Sequence, residues 1–474
     1  MAQSCEAPQG VLPPRKADVE EEVTEQKADE IDYEKVESIP ITIAVKGRLR
    51  KADAEKAKAQ ANGAPFSIIA QFVTEVAQDA FHHSKSLTAI NLPACTSISG
   101  FAFNSCPHLK DISLPVVTSI GSQAFESCHA LKSITLPLAT HIEFSAFFDC
   151  RLLKHIGLPV ATHIGREAFH SCPALASANL PAATHIGEYA FGGCSSLAAV
   201  SLPQATEIEG GAFIQCSALK SISLVATHIK RNTFDNCSSL TNISLPIAKH
   251  IGNAAFNACA ALKSISLPVA THIGGWAFVN CHALTSVELP VATNIDGGAF
   301  NDCHALASIS LPVATTLGHA AFHSCHALAS VSVPVATEIG DWGFVHCDAL
   351  KEISLPKATE VGEGAFTFCS ALTTVSLPAC TFIGERVFRD CHALTKIDGP
   401  LPHATSIPEN AFEGCQFVSN KKPDINRAKA PDKPPEPAAA ENKPSDDEAS
   451  PTGTRARRPS VTAASLPGQP VPSP

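Results

Sequence analysis

Cysteine and histidine are the residues here whose chemistry could matter most, with 18 of the first and 20 of the second among 474 residues. Both are regularly spaced. Fifteen cysteines, from Cys106 to Cys415, each stand three residues after a phenylalanine. His129, His282, His304, His326 and His392 directly follow such a cysteine, while His141, His163, His185, His228, His250 and His272 sit just before a recurring isoleucine. Thiolates and imidazoles on neighbouring segments are what a transition-metal site is made from. A metal site also needs a converging ligand spacing. No C-x-x-C occurs, and H-x-x-x-H occurs once, at His319 and His323. The same histidine columns also hold Ser, Pro, Ala, Glu, Asn and Thr, so the imidazoles read as solvent-exposed variation on a repeat, with no cofactor or metal implied. The cysteines read as an inward column of small buried hydrophobes, kept as reduced thiols. Nor is there a G-x-S-x-G, Walker loop, G-x-G-x-x-G or H-E-x-x-H, so no enzyme is expected.

The elements that position these residues come from one short template. Phenylalanine recurs from Phe81 to Phe412 in sixteen units with a step of 22 residues, except for one residue missing between Phe213 and Phe234 and two extra near Gly399 and Pro400. Written from Ile251, a unit reads I-G-N-A-A-F-N-A-C-A-A-L-K-S-I-S-L-P-V-A-T-H. Ala255, Phe256 and Cys259 suit a short helical turn with Phe and Cys on one inward face. Leu262, Ile265 and Leu267 suit a strand entering the core, and Pro268 ends it because proline has no N–H for a ladder. One unit cannot bury these residues alone, whereas stacked units form a continuous core.

L-x-x-I-x-L-P followed by I-G-x-x-A-F-x-x-C resembles the leucine-rich-repeat family, specifically its BspA-like branch, over roughly residues 80–416. The resemblance implies an α/β repeat: a right-handed solenoid with one continuous parallel sheet, short helical turns on the opposite side and disordered termini. At about 4.8 Å per rung it would run roughly 75–80 Å. Members of the branch resemble surface adhesins that bind host or matrix proteins.

The expected organisation is a disordered acidic segment over residues 1–38, an N-terminal cap over 39–79, the solenoid over 80–420 and a disordered Pro-rich tail over 421–474. In the cap, Ile39–Val45 reads as a strand and Lys46–Ala61 as a basic, Ala-rich helix. The net charge of −10 lacks the clustered basic face that nucleic-acid binding needs. No apolar run is long enough for a membrane span, and MAQSCEAPQG shows no signal-peptide pattern, so a cytoplasmic location is expected, with the cell surface as the alternative. In the tail, Arg457-Arg458-Pro459-Ser460-Val461 resembles a basophilic kinase substrate, which makes Ser460 a candidate phosphorylation site.

Three surface columns bear on function. A threonine column from Thr96 to Thr405, interrupted by Lys249, is expected to satisfy turn backbone. The strand face is mostly serine and lacks the Trp, Tyr and Arg typical of binding hot spots. Bulky residues gather instead two positions before the repeat Phe, at Phe101, Tyr189, Trp276 and Trp342, as candidate partner contacts or as packing between turns. The function expected is a monomeric, non-enzymatic scaffold that binds protein partners. The alternatives are an adhesin exported without a recognisable signal and a metal-binding protein using the histidine columns.

Overall fold

Every repeat contributes two short strands. Its L-x-x-I-x-L run forms a strand such as Ser264–Ser266, with Ile265 buried between exposed serines. Its T-H-I run forms a second, such as His272–Ile273, whose isoleucine points inward. This alternation is what a strand buried on one face requires. Each pairs in parallel with its equivalent in the next repeat, Ser264 opposite Ser286 and His272 opposite Asn294. Two ladders of parallel strands therefore lie along a β-solenoid of stacked coils. The structure is a computed structural model and describes residues 37–398 and 407–415. The chain divides into two units, residues 1–427 and 428–474, and all described residues belong to the first.

The A-F-x-x-C segment, expected as a short helical turn, is a succession of tight turns. Ala254 and Ala258 have φ of +53° and +54°, and left-handed residues interrupt any α-helical run. The break frees alternate amides to bond between rungs. Ala254 N–H donates to Gly275 C=O at 2.9 Å, Phe256 N–H to Ala277 C=O at 2.8 Å and Ala258 N–H to Val279 C=O at 2.9 Å. The corner of the coil thus carries a third line of hydrogen bonds.

The first strand ladder is segmented rather than continuous. Leu92, Leu136, Leu180, Leu224, Leu267, Leu311 and Leu355, on every second rung, donate N–H to the strand-end carbonyl of the following rung at 2.9–3.1 Å. Its sheet breaks, after Asp111–Ser113, Asn242–Ser244, Ser286–Glu288 and Ser330–Ser332, all fall between the rung pairs so defined. The central residue before each break, Ile112, Ile243, Val287 or Val331, is only partly buried. The second ladder breaks once, between Glu207–Ile208 and His228–Ile229, where the repeat is one residue short.

Residues 39–76 continue both ladders. β1 (Ile39–Thr42) pairs with β3 (Phe66–Ile69), and β3 with β5 (Leu87–Asn91) in the first repeat strand. In the second ladder β2 (Gly47–Leu49) pairs with β4 (Val73–Val76). Helix α1 covers Lys51–Ala61 rather than starting at Lys46, because residues 47–49 are held in the ladder. Ala54, Ala57 and Ala61 form its buried face.

Sixteen phenylalanines stack through the core from Phe81 to Phe412, with ring centroids 5.1–5.6 Å apart and planes within 12° of parallel. Offset parallel rings at this separation are favourable beyond the area they bury.

Candidate functional site

The cysteine column serves the backbone. All fifteen thiols donate to the carbonyl of the preceding rung's Phe, as Cys259 Sγ does to Phe234 at 3.2 Å and Cys281 Sγ to Phe256 at 3.2 Å. Every described cysteine is a free thiol. Desolvation pushes the Cys106 and Cys281 thiols up to about 12. Reactivity requires the thiolate, so these buried groups are inert. The threonine column does the expected work at the opposite corner: Thr337 Oγ1 donates to the Thr315 carbonyl at 3.2 Å and Thr359 Oγ1 to the Thr337 carbonyl at 3.2 Å.

The imidazoles stack on the outside. In the second strand ladder His163 lies over His185 with centroids 4.4 Å apart, and His228 over His250 at 4.7 Å. In the column after the cysteine, His282 and His304 lie 4.7 Å apart and His304 and His326 5.0 Å. In these rotamers no group of three ligands converges on one point among the described residues. His319 and His323 do not act as an isolated pair: burial, the largest cause, lowers the His323 pKa, and nearby His346, His319 and His326 lower it further against an opposing Asp302.

Phe101, Tyr189, Trp276 and Trp342 all occupy the first left-handed column of the turn, at φ of +55° to +59°. Three of them face a glycine one rung on. A Cβ at Gly211 would stand 2.4 Å from the Tyr189 ring, one at Gly298 2.6 Å from the Trp276 indole and one at Gly364 2.7 Å from that of Trp342. Each ring covers backbone at which a larger residue would have to displace it. Tyr189 is buried and Trp276 is 38% exposed. Phe101 and Trp342 lie between these two. Ser460 lies outside the described residues, as do most of 1–38 and all of 421–474.

The most continuous apolar surface is one that sequence reasoning missed. Val225, Ile247, Val269, Val291, Val313 and Val335, on six consecutive rungs, are each 38–43% exposed. They occupy the corner between the two strands of the rung, with a buried alanine next in sequence. Exposed Gln204 and Lys357 bound the run. Five steps at about 4.8 Å make a ridge roughly 24 Å long. Valine in an L-P-V-A-T repeat passes for core. The usable signal was that adjacent positions cannot both face inward at a tight corner, and along this run the small Ala takes the inward one. The strand face beside it bears a shallow depression lined by Ile222, Ile243, Ile265, Ser223, Asn242 and Ser244, at the short repeat.

Stacked coils with two parallel ladders and a buried Phe-Cys corner define a leucine-rich-repeat solenoid. Within that class, the family model described as BspA type leucine rich repeat region matches overlapping segments across residues 66–419, well over half the chain, and the chain belongs to that family. A leucine-rich repeat protein from Bacteroides ovatus is similar at 28% identity and a TM-score of 0.57, over 73% of this chain and 88% of that one. A leucine rich cell surface protein from Faecalibacterium prausnitzii shares 23% identity over 73% and 87%, with a TM-score of 0.33. The pneumococcal vaccine antigen PcpA shares 17% over 81% and 96%, with a TM-score of 0.39. No curated protein matches. Among the described residues no helix is long and apolar enough to cross a membrane.

Proposed function

We propose that this protein is a non-enzymatic, cytoplasmic scaffold that binds a protein partner along the ridge from Val225 to Val335. The observation that carries this reading is six exposed aliphatic side chains in register on consecutive rungs. A contiguous apolar strip on a soluble surface marks an interaction site more often than scattered exposed residues do. Leucine-rich-repeat proteins commonly bind other proteins, which supports the class of function. The thiol-to-carbonyl bonds support a reducing compartment, because oxidation would remove the second donor that buried Phe carbonyls such as those of Phe234 and Phe256 receive beside a backbone N–H.

The test is Val269→Asp with Val291→Asp, compared with Ser266→Asp on the strand face, in capture of native partners and in thermal melting. The ridge pair should weaken capture about tenfold or more, a change of about 1.4 kcal/mol, with melting close to that of the Ser266 variant. Equal capture by both variants would exclude the ridge. Surface labelling of intact cells should leave the chain unmodified, whereas labelling would favour an adhesin.

A further inference from the structure

The stacked histidines share a feature that their repeat positions do not require. In each of three runs the last imidazole touches a carboxylate. His185 Nδ1 is 3.1 Å from Glu207 Oε2, His272 Nε2 is 3.1 Å from Asp296 Oδ2 and His326 Nδ1 is 2.8 Å from Asp348 Oδ2. The first and third carboxylates occupy the histidine column itself, one rung on, so both columns read His-His-His-acid at steps of 22 residues: 141, 163, 185 and 207 in one, 282, 304, 326 and 348 in the other. The second run, His228, His250 and His272, reaches Asp296 from outside the column.

We propose that these three ladders bind divalent transition metals of the zinc class, through His163, His185 and Glu207, through His250, His272 and Asp296, and through His304, His326 and Asp348. Two ligands on one ion, with bonds of about 2.1 Å, stand roughly 3.0–3.4 Å apart. The three imidazole–carboxylate pairs are already close to that separation. The neighbouring imidazole supplies the third ligand. Its ring centroid lies 4.4 Å from that of His185 in the first ladder, 6.2 Å from that of His272 in the second and 5.0 Å from that of His326 in the third. These rings lie at the surface, so rotation about the side chain can turn a nitrogen toward the shared point. Parallel pairing of the strands fixes His163 opposite His185 and His250 opposite His272 and keeps the ligands on adjacent rungs. Imidazole with carboxylate selects borderline ions over magnesium or calcium. Among the described residues the competing thiols are buried, apart from the partly buried Cys415.

The experiment is calorimetric titration of the untagged full chain with zinc chloride, with magnesium chloride as the control. The variants are His185→Asn, His272→Asn and His326→Ser, alone and combined. Asn294 and Ser370 already occupy these columns, so the substitutions are compatible with the fold, and melting confirms it. We expect one zinc ion per ladder in the micromolar range, one ion lost with each variant and none bound by the triple variant. Absence of zinc binding by the natural chain overturns the proposal. So does a triple variant that binds as the natural chain does, which would place the ions on other histidines such as His82 and His83. A single variant that leaves the stoichiometry unchanged overturns the assignment at its own ladder.

Discussion

The indole of Trp276 lies over Gly298, the residue one rung on in the same left-handed column, so closely that a Cβ there would stand 2.6 Å from the indole Cδ1. Tyr189 and Gly211, and Trp342 and Gly364, repeat the relationship. In these three cases the ring takes its place over the glycine 22 residues further along the chain, whereas Phe101 is followed in the column by Gln123. The pairing makes the rings packing elements as well as surface.

A double-mutant cycle tests this pairing. Gly298→Ala should cost about 1–2 kcal/mol, from a left-handed alanine and a displaced indole. In a Trp276→Ala background the same change should cost less, with a coupling of about 0.5 kcal/mol or more. Urea melts of the four proteins measure it. Strict additivity would show that the indole is not held against Gly298.

The cysteine column predicts behaviour at high pH. Desolvation raises the Cys281 thiol from 9.0 to about 12, and Cys106 likewise. In the unfolded chain these thiols ionise at their ordinary value, while in the folded chain they stay protonated. The stability they contribute is therefore complete below pH 9.0 and falls as pH rises toward about 12. Alkaline unfolding should begin above pH 9.0, and the buried thiols should react with an aromatic disulfide reagent only as the fold is lost. Rapid labelling of the column at neutral pH in the folded protein would contradict the burial.

Cys281→Ala isolates one bond of the thiol ladder. It removes one of two donors to the buried Phe256 carbonyl, the thiol at 3.2 Å, and leaves the Cys259 N–H at 3.2 Å. We expect a loss of about 1–2 kcal/mol, read from denaturant melts. An unchanged midpoint would mean that neither the bond nor the packing of the thiol contributes to stability.

Loss of residues 1–79 should be far more damaging than loss of 1–38. β3 pairs with the first repeat strand, and Phe66, Ile68, Val73 and Val76 are buried against the core. Circular dichroism melts of the two truncations should differ by many degrees, with the shorter deletion matching the full chain. Equal melting would show that the first repeat needs no cap.

What could be read from the sequence was whatever a period and an apolar side chain reveal together. Phe256, Cys259, Leu262 and Ile265 could be placed inward because their columns are uniform and their spacing suits a turn and then a strand. The left-handed residues could not be placed, because Ala254, Trp276 and Arg386 share one such column with Gly298 and have no chemistry in common. The turn consequently read as helical. The two-residue strands escaped notice because they are shorter than any alternation a sequence can display. His163 and Glu207 looked like variation, since columns were judged by their composition rather than by the order of residues along neighbouring rungs. The Val269 ridge escaped notice because a recurrent aliphatic side chain carries no sign of which way it points, and it is Ala270 beside it that takes the inward place.

The most direct test of the functional claim is site-specific photo-crosslinking in the cell. A photoreactive side chain at Val291, on the ridge, is compared with one at Ser310, on the strand face, and one at Trp276, in the turn. We expect a discrete crosslinked partner from Val291 and none from Ser310. A partner captured from Trp276 or Ser310 but not from Val291 would contradict the assignment of the ridge as the binding surface.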